Sequence, residues 1–251
     1  MSTGTLVSTP VDDLSPWVEC FTVGGVPDRL GRMVQTQGEH VVRVAYDEVA
    51  NTYADRFRTT EPELPLELAM VEHFASVLSG SRRVLDAGCG AGRMLPLLAE
   101  LGCVAEGVDL SPEMVRRARA DHPEFATQVA SITDLPFEDS SFDGVFSWYS
   151  TIHGDDEALA TAVSEFRRVL RPGGLVLVAF QSGSGVQDVS EAYRRQGHDV
   201  VLVRYRRTLD QVSDALGSAG FSEMARLERQ AAAHERDGQA VVVASSTLAH
   251  W

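Results

Sequence analysis

The sequence contains no lysine. That absence removes Schiff-base chemistry, lysine general bases and the P-loop lysine that grips nucleotide phosphates. Cysteine is scarce: Cys20, Cys89 and Cys103 stand alone, without metal-like spacing. Neither a disulfide framework nor a metal site is expected, and the pattern suits a reducing cytoplasm. No apolar run reaches the length of about 18 residues that a membrane span needs. The N-terminus, MSTGTLVSTPVDDLSP, lacks the basic start and apolar stretch of a signal peptide. Positive charge is also in deficit, with 22 Lys and Arg against 36 Asp and Glu, a net charge of −14. A nucleic-acid partner is therefore not expected, because phosphate binding needs a basic face.

What is present is an alternation of short apolar strands and amphipathic helices. The 251 residues, 44% of them apolar, suffice for one substantial α/β domain with a small appendage. Residues 1–38 are rich in Thr, Pro and Gly without periodicity and read as an N-terminal extension, either flexible or folded back as a lid. Residues 39–251 read as the main domain. From Arg82 onward strands are expected at Arg83–Asp86, Val104–Asp109, Phe125–Ala130, Phe142–Ser147 and Leu175–Phe180. Helices are expected near Arg93–Leu101, Pro112–Ala120 and Glu157–Leu170, the mark of a parallel sheet covered on both faces. Ser111-Pro112 is a helix start, and Thr208 with Gln211 forms a capping box for a late helix that Gly220 ends. Two apolar stretches around Glu223–Ala232 and Gln239–Ser245 read as a closing antiparallel hairpin.

The densest local signal is the run Val84-Leu85-Asp86-Ala87-Gly88-Cys89-Gly90-Ala91-Gly92-Arg93. An apolar strand meets a carboxylate, then a loop with glycine at every second position, then a helix. Such glycines let backbone turn tightly and approach a ligand. A dinucleotide site would place its third glycine where Arg93 stands, and Asp86 would repel a pyrophosphate. A ligand with a positive group and no phosphate fits better. This run resembles the first motif of the class I S-adenosylmethionine-dependent methyltransferases. The resemblance implies a Rossmann-like, seven-stranded, mostly parallel sheet with a closing hairpin. It also implies a loop (Asp86, Ala87, Gly88, Cys89, Gly90, Arg93) that wraps the amino-acid end of S-adenosylmethionine.

Three further stretches follow in that family's order. Gly107-Val108-Asp109-Leu110-Ser111-Pro112-Glu113-Met114 ends a second strand on a carboxylate able to accept hydrogen bonds from both ribose hydroxyls. By resemblance Asp109 holds the ribose, Leu110 and Met114 lie against adenine, and Ser111 belongs to the same motif. Ser131-Ile132-Thr133-Asp134-Leu135-Pro136-Phe137 is similar to a family segment that often carries Asp where Ser131 stands. The adenine contact then falls to Ser131, to Asp134 or to the backbone at Ile132. Finally, Arg171-Pro172-Gly173-Gly174 looks like the family's corner between a helix and the fifth strand. The resemblance spans roughly residues 41–245.

Ligands in open α/β sheets sit beyond the carboxyl ends of the strands, so Ser147-Trp148-Tyr149-Ser150-Thr151-Ile152-His153 should border the reacting methyl. His153 is the candidate base or acceptor-orienting group, with helix capping or a bond to backbone as the competing reading. Tyr149 is the second catalytic candidate and Trp148 a candidate cofactor wall. His198 and His234 are outside candidates. Tyr46 and Tyr53, on an expected helix over Val41–Phe57, would by resemblance reach the cofactor's carboxylate. Residues 181–207 form a second candidate lid, with an added strand near Val200–Tyr205. The reading is methyl transfer to an O or N atom of a small molecule, similar to bacterial enzymes of natural-product or undefined substrate. Its rivals are a non-catalytic S-adenosylmethionine-binding module and a nicotinamide-dependent oxidoreductase. Oligomeric state stays open, a homodimer being one option.

Overall fold

In the computed structural model of the chain, residues 38–233 and 235–246 are described. His234 and the extension up to residue 37 therefore lie outside the described residues. In chain order the elements are α1 (Glu39–Arg56), α2 (Pro65–Val77), β1 (Arg83–Ala87), α3 (Leu95–Glu100), β2 (Val104–Asp109), α4 (Pro112–Asp121), β3 (Thr127–Val129) and β4 (Phe142–Trp148). They continue with α5 (Asp156–Val169), β5 (Leu170–Ser182), β6 (Val186–Asp188), α6 (Ser190–Arg194), β7 (Val203–Tyr205), α7 (Leu209–Ser218), β8 (Phe221–Arg229) and β9 (Gly238–Ser246).

Seven strands make one sheet in the order β3-β2-β1-β4-β5-β9-β8. The first five run parallel, while β9 pairs antiparallel with both β5 and β8. Both faces are buried, and the period of two along each strand divides the core. Leu85, Val145, Val176 and Val178 face a cluster with α5 and α7, through Val163, Phe166, Val212 and Leu216. Val84, Phe146, Leu177 and Val243 face α2 and α3 on the other side, meeting Phe74, Leu78 and Leu98. No helix among the described residues is long and apolar enough to cross a membrane.

Local chemistry sets the helix ends. Ser111 Oγ accepts the Met114 N–H at 3.1 Å, and Asp155 Oδ1 accepts the Ala158 N–H at 2.9 Å. The Thr208–Gln211 capping box has both of its reciprocal bonds.

One expectation needs correction, and one helix lies outside the sequence reading. The expected strand over Phe125–Ala130 shortens to three residues, because it is an edge strand and Ala126 bonds β2 only through its carbonyl. The added strand expected near Val200–Tyr205 is β7, which pairs with β6 in a separate two-stranded sheet. Helix α2 carried no sequence signal strong enough to draw it; its Pro65 start follows a Leu N-cap without a side-chain bond.

The strand order places β1 and β4 side by side, and Gly144 is what lets α2 sit close to them. A Cβ there would stand 2.8 Å from Phe74 Cζ and 3.0 Å from Leu78 Cδ2. Gly144→Ala is expected to cost about 1–3 kcal/mol by overpacking. Urea unfolding should show a lower midpoint with an unchanged slope; an unchanged midpoint would contradict this packing.

Candidate active site

A cavity of about 310 Å³ opens at the carboxyl ends of β1, β2 and β4. Its floor is the turn after β1. Gly88 and Cys89 N–H groups both donate to the Val108 carbonyl at 2.8 Å, tying the turn to β2. Gly88 holds φ +88, and a Cβ there would stand 2.2 Å from the Ser150 Cβ. Only glycine lets the β1 turn pass beneath the β4 turn. Gly90 has φ +55 with open space where a Cβ would project, so its backbone faces the cavity unobstructed.

Asp109 lies at one wall. Its Oδ2 accepts the Gly90 N–H at 2.8 Å and its Oδ1 the Ser111 N–H at 2.9 Å. Each oxygen keeps a lone pair for a ligand hydroxyl. Burial pushes this carboxyl up to about 6, although the two backbone donors oppose the shift. Leu110, Met114, Ser131, Ile132 and Trp148 line the same cavity, as do Tyr46, Tyr53, Tyr149 and His153.

The other candidate positions lie behind that surface. Asp86 is buried beneath the loop, neither carboxylate oxygen has a hydrogen-bond partner among the described residues, and burial raises it to about 8. Ala87 is strand core. Cys89 packs where Gly107 leaves room, with Sγ 2.7 Å from the position a Cβ would take. Ser111 caps α4 and donates its hydroxyl to Asp47 Oδ1 at 2.6 Å. Arg93 pairs with Glu63 at 2.5 Å, and Glu63 also accepts the Trp148 indole N–H at 3.2 Å. Nothing in the sequence around Glu63 signalled that role.

His153 is held from two sides. Its Nδ1 lies 2.6 Å from the Val203 carbonyl, which can only accept, so Nδ1 carries the proton. Nε2 is then the acceptor for the Tyr46 hydroxyl at 2.8 Å. Tyr193 adds a further hydrogen bond to Tyr46. Burial drives the imidazole down to about 4, against the pull of the Val203 carbonyl. The loop that carries it is fixed by Arg207, which donates to Asp156 Oδ1 at 3.0 Å and to the Gly154 carbonyl at 2.7 Å. Tyr149 adopts φ +57, a left-handed conformation uncommon for a tyrosine. Burial raises its hydroxyl, so it donates rather than serves as a base. His198 lies outside the cavity lining and bridges Thr52 Oγ1, at 2.8 Å, to Glu48.

Comparison with known proteins agrees with this architecture. Residues 84–174 match a family model described as a methyltransferase domain. The chain is 30% identical over 195 residues to the malonyl-(acyl-carrier protein) O-methyltransferase of Erwinia pyrifoliae, covering 76% of this chain and 70% of that protein. It is 30% identical over 151 residues to the demethylmenaquinone methyltransferase of Chlorobaculum tepidum, covering 58% of this chain but only 62% of the relative. Among solved structures, the geranyl diphosphate C-methyltransferase of Streptomyces coelicolor, in complex with S-adenosyl-L-homocysteine, superposes with a TM-score of 0.55 at 17% identity. That match covers 72% of this chain and 78% of the other.

The two-sided grip on His153 has a direct readout. Nitrogen NMR of the labelled protein should show a neutral ring protonated on Nδ1 from pH 8 to pH 6, with its midpoint near 4. The unfolded ring titrates near 6.5, so it takes up its proton first. The stability from this group is present above about pH 6.5 and is lost as pH falls towards 4. A midpoint near 6.5 in the folded protein would contradict the burial.

Proposed function

The chain belongs to the class I S-adenosylmethionine-dependent methyltransferases, and from that premise we propose that it methylates an O or N atom of a small molecule. The observation that carries the proposal is the continuity of one cavity. It runs from the glycine turn and Asp109 to the His153–Tyr46 pair, so cofactor and acceptor ends share a single space. The named relatives act on malonyl-acyl-carrier protein and on demethylmenaquinone.

The residues present fit the cofactor. Gly88 and Gly90 leave backbone open to a ligand, Asp109 keeps lone pairs for ribose hydroxyls, and Leu110, Met114 and Ile132 offer an apolar slot. Asp86 lies below the turn as a buried carboxyl without a partner, and a bound cation would favour its ionised form. Tyr46 and Tyr53 wall the cavity from α1, and Trp148 walls it from β4. S-adenosylmethionine, when bound, supplies a methyl group activated by its sulfonium charge. The chain's task is then alignment and exclusion of water.

His153 is a poor base for an alcohol in its ground state, since efficiency follows the match of pKa to pH. It suits two other tasks. Through Tyr46 it fixes which way a hydroxyl at the acceptor end points. With a neutral amine as acceptor it also receives, through the same hydroxyl, the proton that becomes acidic as the nitrogen turns positive. Nucleophiles that react without prior deprotonation, such as a carboxylate or a neutral amine, match this arrangement best. The Tyr149 hydroxyl acts here as a donor.

Calorimetry with S-adenosylmethionine and S-adenosylhomocysteine tests the cofactor end, with Asp109→Ala expected to abolish measurable binding. With Asp86 near 8, binding at pH 7 should release close to one proton. The observed heat would then change with the ionisation enthalpy of the buffer, and a buffer-independent heat would rule out ionisation of Asp86 on binding. Once an acceptor is found in a panel of carboxylates, phenols and amines, His153→Ala and Tyr46→Phe should each lower kcat by about 10²-fold. The double variant should be scarcely worse than either single one, because the two groups act as a unit. Full activity in His153→Ala would remove the assigned role.

A further inference from the structure

Helix α1 meets the cavity along one face. Glu39, Val42, Tyr46 and Tyr53 all line it, at spacings of three, four and seven residues. Glu39 stands at the helix start, against the turn that follows β3. Its Oε1 accepts the Thr133 hydroxyl at 2.5 Å and also the Ser131 hydroxyl. A carboxylate only accepts, so both hydroxyl protons point at Glu39. Ser131 in turn accepts the Thr133 N–H at 3.0 Å. The hydroxyl expected to meet the base is therefore already committed to a neighbour. The other Glu39 oxygen, Oε2, has no hydrogen-bond partner among the described residues.

The helix end is not a loose one. Asp47 accepts the Ser111 hydroxyl at 2.6 Å and the Glu113 N–H at 3.3 Å, while Asn51 accepts from Arg116 at 2.8 Å. These bonds fix α1 on the start of α4, the helix that also presents Met114. An apolar slot of Leu110, Met114 and Ile132 thus ends at a rim carrying a carboxylate oxygen with spare lone pairs. Such a slot takes a flat ring bearing an N–H donor on its edge. We propose that Glu39, which lies outside the matched stretch 84–174, determines nucleobase specificity. Its carboxylate accepts the 6-amino group of adenine and repels a 6-oxo purine, whose carbonyl would bring one oxygen against another. The proposal rests on the cofactor reading above.

The test is calorimetric binding of S-adenosylhomocysteine and of S-inosylhomocysteine, in which a 6-oxo group replaces the 6-amino group and N1 gains a proton. Wild type should favour the adenosyl ligand by about tenfold or more, the range of a hydrogen bond to a charged group. Glu39→Ala should bring the two affinities within about twofold of each other, by weakening the adenosyl ligand and relieving the repulsion of the inosyl one. Glu39→Gln keeps the helix start and gains an N–H that can donate to a 6-oxo group, so it should shift preference towards the inosyl ligand. A preference that survives in both variants, or a loss that falls equally on both ligands, would overturn the assignment while leaving the cofactor reading intact. Failure of wild type to bind either ligand would overturn both.

Discussion

One carboxylate organises the cavity. Asp109 accepts the N–H of Gly90 with one oxygen and that of Ser111 with the other, which straps the turn after β1 to the turn after β2. Both turns have positions that no ordinary strand pairing would fix. The bonds are made to a buried group, where low local polarity strengthens a satisfied interaction and penalises an unsatisfied one. From Asp109 the chain of contacts runs outward. Ser111 reaches Asp47, Asp47 fixes α1, and Tyr46 on α1 meets His153. His153 is held in turn by Val203 on β7. The glycine-turn end and the His153 end of the cavity are thus connected through packed polar groups.

This chain of contacts explains why α1 belongs to the site although it precedes the sheet in sequence. The helix packs against α4 and the turn after β1, Ala50 and Ala54 clustering with Met114 and Ala91, and against the 190–202 segment through Ala45, Val49, Tyr193 and Leu202. Small residues on its inner face let it lie close, and its tyrosines fill the remaining space. The segment after β5 works in the same way: β6, α6 and β7 form a small cap whose backbone carbonyl at Val203 sets the tautomer of His153. Such a cap orients a side chain through main-chain atoms, which leave no trace in residue identity.

The acid groups beside the glycine turn divide by solvation and partners. Asp109 has two backbone donors and shifts only to about 6, while Asp86, without donors, rises to about 8. Burial raises both carboxyls; the backbone donors hold Asp109 lower, while Asp86 has only the nearby Arg93 charge to oppose its burial.

The sequence alone determined the features that follow from short-range rules. Alternation of apolar strands and amphipathic helices dictated the parallel sheet, since both faces of each strand had to be covered. Glycines at 88, 90 and 92 and the acids at 86 and 109 marked the turn that floors the cavity, because backbone conformation and charge there depend on residue type. Capping residues Ser111 and Thr208 fixed helix starts for the same reason. What only the tertiary structure decided concerns partners far apart in the chain. Glu39 meets Ser131 across 92 residues, Tyr46 meets His153 across 107 and Glu63 meets Trp148 across 85. No local pattern encodes these pairs, because each is set by how α1 and the α1–α2 connection pack on the sheet. Burial, which makes His153 neutral and leaves Asp86 without a partner, is likewise a property of the packed chain and not of any residue in it.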